Sequence, residues 1–404
     1  MSLNTKISMK KEIPIRIFLY IVLFIPLIPL EGLAYIAPSI YDILYLYTTI
    51  PVLFISIVMF LILLRKTNTI SKPLILLIII AIYSVLLTIK ASGSLYSVIG
   101  IWMYSIILLI LCEYYKWDFD VFIGALLFLL ELYVLLNFVL ILIFPNGMNF
   151  ENAGINQGKI WILGYKSSLQ YYVFPLIVLT FIRAIKKRKY FNFYLTMFLA
   201  HFECIVASNT MLLVGLLLWD IVVIFQLYRM DLCNKKIMII TSVTIISLNI
   251  VIVFLTTSFL EIPIVKNIML NVLHKDATFS MRIGAWQATI NAIRENMIWG
   301  HGYTSKEYRL MLFNRGTAHA HNLFLELWFE TGIIGVCAFA MLIYGCLKKL
   351  YIQNNYIARI LFCAFTIIFI MYIFENLLRK SSGLMWLLFW IAYNSELYEG
   401  KIKK

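Results

Sequence analysis

Charge is what this sequence has least of. Only 13% of its 404 residues are Asp, Glu, Lys or Arg, and acids are the scarcer sign, 20 against 34 basic residues. An ordinary soluble domain keeps about a quarter of its residues charged, so that class is excluded. The six cysteines are Cys112, Cys204, Cys233, Cys337, Cys346 and Cys363. None has the paired spacing of a zinc site and none falls in a predicted outer loop, so no disulfide framework is implied. There is no internal repeat, no low-complexity segment and no ATP-binding motif. The alternating ten-residue patterns of a membrane barrel are absent as well. The net charge of +14 invites a nucleic-acid partner. The basic residues, however, are scattered through short segments between apolar runs, and that distribution argues against one.

What is present is apolar sequence, 62% of the chain. Runs of about 20 residues recur from end to end, each long enough to cross a hydrocarbon core of roughly 30 Å as a helix. A spanning segment must satisfy its own backbone, so helices are the default. The expectation is an all-α polytopic transmembrane bundle of about twelve spans. These are Ile13–Leu30, Ile43–Leu64, Pro73–Ile89, Ser97–Cys112, Val121–Phe144, Ser168–Ile185, Phe191–Ala207, Met211–Leu227, Ile237–Leu260, Asn322–Leu347, Ile360–Leu378 and Leu384–Tyr393. They divide the chain into an N-terminal bundle (1–260), one large extracytoplasmic loop (261–321) and a C-terminal helical part with a cytoplasmic tail (322–404). Lys6, Lys10, Lys11 and Arg16 precede the first run as in a signal peptide. No small-residue cleavage site follows, and Pro26 and Pro29 break the run, so an uncleaved first span is expected.

Orientation follows from the short basic segments. With the N-terminus inside, 22 of the 34 Lys and Arg fall on the inner side, and both termini are expected in the cytoplasm. Lys186-Lys187-Arg188-Lys189 is the strongest anchor and would touch anionic headgroups. Two outer loops stand out, Pro145–Ser167 and Glu261–His321. Within the second, Ser280–Met297 has apolar residues near helical spacing and Arg282, Gln287, Asn291, Arg294 and Glu295 on its other face. Such a helix would lie along the membrane surface. Gly300-His301-Gly302 then forces a turn, and Ser305–Phe313 predicts a second short helix.

The most informative stretch is Ala318-His319-Ala320-His321-Asn322-Leu323-Phe324-Leu325-Glu326, continuing to Glu330 and Gly332. Polar groups at the mouth of a span are costly and need a reason. A neutral imidazole at the position of His321 is competent to take a proton or hold an oxygen; the plainer reading is an interfacial cap. Asn322 reads as an N-cap, with Glu326 and Glu330 one and two turns in. His319 completes only a weak H-x-H metal pattern. Arg282 has the planar fork suited to a diphosphate, or it is a snorkelling arginine. Arg294, Arg309 and Arg315 are weaker anion contacts, and Lys166, beside Gly164 and Ser167, is a second phosphate candidate. Glu131, His201, Glu203, Asp220 and Glu375 read as interhelical glue or as a proton or ion path.

Taken together, Ser280-Met281-Arg282-x-x-x-Trp286-x-Ala288, Gly300-His301-Gly302, His321-Asn322-Leu323-Phe324-Leu325-Glu326 and Glu330-x-Gly332-Ile333-Ile334-Gly335 resemble the O-antigen ligase and Wzy polymerase superfamily. The resemblance covers about 60 residues and is specific as a set. It implies a GT-C-like membrane glycosyltransferase at the outer face of the bacterial cytoplasmic membrane. Undecaprenyl-diphosphate-linked oligosaccharides would be donor and acceptor, and no metal, nucleotide or other cofactor would be needed. Arg282 would hold the diphosphate and His321 would sit at the reaction centre, as base or phosphate ligand. Lys166, Arg315, Arg294, Asn322 and Glu326 would line the substrate. Many members carry a serine–arginine pair at the hairpin where this chain has Ser208-Asn209-Thr210; Lys166, in Gly164-Tyr165-Lys166, would compensate. A polymerase building O-antigen or capsule would work among membrane lipids beside a flippase and a chain-length regulator. A ligase would instead transfer glycan to lipid A core. Richness in Ile, Lys and Asn favours the polymerase. Glu131, Glu203 and Asp220 are what would favour a polysaccharide or ion-coupled transporter, and the large outer loop disfavours it.

Overall fold

The computed structural model describes residues 3–66, 70–148, 159–259, 276–313 and 319–398. It is an all-α polytopic bundle. Its main helices are α1 (Leu3–Phe24), α2 (Pro38–Arg65), α3 (Lys72–Lys90), α4 (Leu95–Tyr114), α5 (Phe119–Ile143), α6 (Leu169–Lys187), α7 (Phe191–Ala207), α8 (Thr210–Ile224) and α9 (Lys235–Phe259). There follow α10 (Asp276–Glu295), α11 (Lys306–Leu312), α12 (Leu323–Gln353), α13 (Tyr356–Met371) and α14 (Gly383–Tyr393). Among the described residues, seven helices are long and apolar enough to cross a membrane, and α7, α8 and α13 are shorter apolar ones.

The chain forms two compact units. The first comprises 1–74, 103–220 and 380–404. Its centre is α6, apolar on every side and buried from Leu169 to Ile182. A helix without a polar face has to be enclosed, and α5, α7 and α14 enclose it. Arg16 and Tyr20 of α1 both reach the Asp118 carboxylate, at 2.8 Å each, pinning α1 to the start of α5. At the tip between α7 and α8, Ser208 takes a left-handed conformation (φ 56°) and Asn209 caps α8 through the Leu212 amide. His201 and Asp220 meet at 2.9 Å across this hairpin, while Glu203 pairs instead with Asn137 of α5. The predicted outer loop Pro145–Ser167 is exposed at Pro145, Asn146 and Lys166 but buried from Ile160 to Gly164. Strands β1 (Ile160–Trp161) and β2 (Gly164–Tyr165) form a tight antiparallel hairpin, with Trp161 and Leu163 fully buried.

The second unit comprises 75–102 and 221–379. Two predicted spans differ here. The span expected to reach Leu378 ends at Met371, and residues 372–379 run on as turns and coil. The span expected as one helix from Asn322 is broken at Gly332, which adopts φ 62°, ψ −169°. A break inside an apolar segment is tolerated only where protein satisfies the backbone. The Gly300–Gly302 turn does so. His301 N–H donates to the Phe329 carbonyl at 2.8 Å, Gly302 N–H to Glu330 at 2.9 Å, and Ile333 N–H to Met297 at 3.0 Å. A Cβ on Gly300 would meet the Gly332 and Glu330 backbones, and one on Gly332 would meet the Ile298 carbonyl.

The amphipathic helix is confirmed as α10, and its apolar face is turned onto the protein. Trp286, Ala292 and Ile293 pack with Val253, Ala320, Leu325 and Phe329 in one core, while Gln287, Asn291, Arg294 and Glu295 stay exposed. Gly332→Ala should lower the apparent melting temperature in detergent by the equivalent of about 1–3 kcal/mol, since only glycine is at ease in that conformation. Gly124→Ala, where an added Cβ meets nothing within 4 Å, should leave it unchanged or raise it slightly. Equal melting of the two variants would contradict this account of the break.

Candidate active site

The site is built on the chain segment that follows α13. Once α13 stops, the Tyr372 carbonyl accepts from Leu323 N–H at 3.0 Å, and the Ile373 carbonyl accepts from the Asn322 side chain at 2.9 Å. These bonds sew Tyr372 and Ile373 to the start of α12. Asn322 also caps α12 through the Leu325 amide (3.0 Å) and donates to Asn249 of α9 (2.9 Å). It is fully buried. Its amide therefore joins three parts of the second unit.

This stitching places Glu375 between the two residues singled out by sequence. Arg282 Nη2 lies 3.5 Å from Glu375 Oε1, and His321 Nδ1 lies 3.8 Å from Oε2. The carboxylate side chain is 7% exposed, while the arginine and histidine are 20% and 24% exposed. The acid sits behind and the two nitrogen bases face outwards. Burial pushes the Glu375 carboxyl up, but His321, Arg379 and Arg282 outweigh it and hold the group below the ordinary carboxylate range. Glu375 is thus an anion that fixes two cationic or hydrogen-bonding side chains. Arg282 is placed by Trp286, one turn on along α10, whose fully buried ring packs beside Phe374 at 6.3 Å between centroids. The arginine–tryptophan spacing is a positioning device: the indole anchors the helix and the guanidinium is presented above it.

His321 is delivered by a reversed backbone, with φ 49°. A left-handed histidine is uncommon, and such conformations persist where surroundings over-determine them. Here the surroundings are a buried ion network. Arg309 of α11 donates to Glu326 at 2.5 Å and to Glu330 at 2.6 Å. Its guanidinium lies 4.2 Å from the Tyr303 ring centre and 5.6 Å from that of Phe329. Burial opposes the Arg309 charge, but the two carboxylates prevail and hold it firmly protonated. The second oxygen of Glu326 accepts from Ala320 N–H at 2.7 Å, and His319 Nδ1 stands 3.5 Å from the first. Burial lowers the His319 pKa against the pull of Glu326. Glu326 therefore grips the 319–320 turn from below, and His321 projects from it.

The structure brings Arg282, His321, Asn322 and Glu326 together in one unit. Asn322 and Glu326 are engaged within the protein as described. Arg294 is exposed in the last turn of α10, about 18 Å along the helix from Arg282, and stands apart from the cluster. Arg315 lies outside the described residues. Lys166 belongs to the other unit, exposed at the end of the β1–β2 hairpin, with its carbonyl accepting from Asn209 at 2.6 Å. Sequence reading placed Glu375 only among buried polar residues and did not single out Arg379. The signal was there: an acid within a predicted span, followed four residues later by an arginine. The charge of half-buried Arg379 acts on Glu375, His319 and Tyr303 alike. Among the described residues, no group of three or more His, Cys, Asp or Glu is placed to hold a metal ion.

Arg309→Ala would leave Glu326 and Glu330 buried without their cation. That should cost about 3–5 kcal/mol, read as a large fall in melting temperature. Arg309→Lys, which keeps the charge but not the fork, should fall between. An alanine variant that melts like the wild type would contradict the network's role.

Compared with known proteins, residues 195–340 match a family model described as O-antigen ligase. The match takes in Arg282, the Gly300–Gly302 turn, Arg309, His321 and the break at Gly332, and it stops short of Glu375. No curated protein matches the chain.

Proposed function

We propose that this multi-pass membrane chain, whose residues 195–340 carry an O-antigen ligase domain, is a glycosyltransferase that polymerises lipid-linked oligosaccharide repeat units. The donor and acceptor are glycans on undecaprenyl diphosphate, and the reaction takes place at the outer face of the bacterial cytoplasmic membrane, with both termini in the cytoplasm. The observation that carries this reading is the convergence of Arg282 and His321 on Glu375.

In the transfer, the acceptor hydroxyl oxygen bonds to the anomeric carbon of the donor sugar as the bond from that carbon to the diphosphate oxygen breaks. The electron pair leaves with the diphosphate, and the hydroxyl proton passes to His321. Glu375 faces Nδ1 of His321, which favours the tautomer protonated there and presents Nε2 as the base. Arg282 meets the charge that develops on the leaving diphosphate. In a partly dry cleft such a preorganised cation is worth far more than in water. The diphosphate is already a good leaving group, so positioning and charge stabilisation are the main tasks left to the protein.

A ligase reading, in which the glycan goes to a lipid A core instead, is favoured by the description of the matching family as O-antigen ligase. Deletion separates the two. Loss of a polymerase leaves single repeat units, whereas loss of a ligase leaves long chains on the carrier lipid. Arg282→Ala and His321→Ala should each reduce product by about 100- to 1000-fold while the protein still inserts at normal levels. Wild-type amounts of long-chain glycan in both variants would defeat the assignment.

A further inference from the structure

The first unit carries a second built arrangement of side chains around Glu31, none of which takes part in the transfer described above. Glu31 lies in the segment between α1 and α2, and that segment rides on the buried β1–β2 hairpin. Gly32 N–H donates to the Ile162 carbonyl at 2.9 Å, and a Cβ on Gly32 would run into the Trp161 carbonyl. Tyr172 of α6 donates to the Pro29 carbonyl at 2.5 Å from within the unit. The hairpin is itself tied down. Lys159 Nζ donates to the Val206 carbonyl at 2.9 Å, and Lys166 N–H donates to the Lys159 carbonyl at 3.0 Å.

On this platform the Glu31 carboxylate accepts from Ser168 Oγ at 2.7 Å. Gly164, at φ 103°, makes room for it, because a Cβ there would strike the carboxylate. Tyr35 and Tyr165 stand beside it, rings edge to face at 5.7 Å between centroids. Glu31, Tyr35 and Tyr165 are all half-buried, and Lys166 is exposed next to them. They are neither sealed in the core nor spread over the surface.

Aromatic rings with polar edges, a fixed carboxylate and a lysine make a distinctive combination. The ring faces suit the C–H face of a sugar, the carboxylate accepts its hydroxyls in charge-assisted hydrogen bonds, and the tyrosine hydroxyls add further polar contacts. A ring of interfacial tyrosines meeting lipid headgroups needs no such carboxylate. A negative charge here also repels a phosphate. The ligand chemistry it favours is a neutral polyhydroxylated ring. We infer that Glu31, Tyr35 and Tyr165, with Lys166 at the rim, form a subsite for a sugar ring of the glycan carried on the lipid-linked substrate. This rests on the function proposed above and gives that function a glycan-recognition element outside the matched domain.

The test uses the full-length protein in lipid nanodiscs and two probes. One is undecaprenyl diphosphate bearing no sugar; the other is the lipid-linked repeat unit extracted from a strain deleted for this gene. Glu31→Gln and Tyr35→Ala should each weaken binding of the glycosylated lipid by about tenfold or more, with binding of the bare lipid unchanged. Tyr35→Phe, which keeps the ring, should lose less than Tyr35→Ala. Variants that bind both lipids like the wild type would overturn the subsite and leave the function standing. Equal loss of both lipids would overturn it too, because the cluster would then serve only to hold the fold. A wild-type protein that binds the two lipids equally would show that the sugar is not read. A wild-type protein that binds neither would overturn the function proposal itself.

Discussion

A single buried carboxylate, Glu375, organises the candidate active site. An anion in an apolar interior is tolerated only when paired, and its partners are Arg282 at 3.5 Å and His321 at 3.8 Å, with the charge of Arg379 close by. These partners come from three separate parts of the chain: the amphipathic helix α10, the turn before α12, and the segment after α13. The energetic requirement to neutralise one acid therefore fixes the relative placement of three groups. It also leaves the arginine and the histidine, more exposed than the acid, at the mouth of the cluster.

Beneath this lies a second constraint of the same kind. Arg309 binds Glu326 and Glu330, and Glu326 in turn holds the Ala320 amide. The break at Gly332 belongs to this arrangement. It opens the carbonyls of Phe329 and Glu330 to the Gly300–Gly302 turn, so that the turn, α12 and the start of α11 become one frame. The site is rigid because its polar groups are spent on one another, and the residues at its mouth are the ones with exposure to spare.

Much of this was legible in the sequence, for physical reasons. Apolar runs bounded by charge located the helices, and Phe191–Ala207 matches its predicted bounds. The apolar spacing in Ser280–Met297 located α10, and the short helix expected over Ser305–Phe313 is α11, which Ser305 caps. What was not legible depends on tertiary pairing. Hydropathy cannot distinguish a continuous apolar helix from one broken at Gly332, since the break is decided by a turn some thirty residues earlier. Nor can it see that α13 stops at Met371, because Ile373, Phe374, Leu377 and Leu378 prolong the apolar run around Glu375 and Asn376, while the Tyr372 and Ile373 carbonyls are used to hold Leu323 and Asn322. Arg309 read as one of three weaker anion contacts; its burial against two glutamates sets it apart. The segment before α6 read as an outer loop, yet its hairpin carries Trp161 and Leu163 into the core.

The central claim is that Arg282 and His321 act as a pair held by Glu375. Its most direct test is the steady-state rate of glycan elongation by purified protein in lipid, with no ion gradient, comparing wild type with Glu375→Gln. The amide keeps the shape and removes the charge that orients both partners. The account predicts a fall in kcat of about 10- to 100-fold with binding of the lipid-linked substrate largely kept. A Glu375→Gln protein that elongates at the wild-type rate would contradict it.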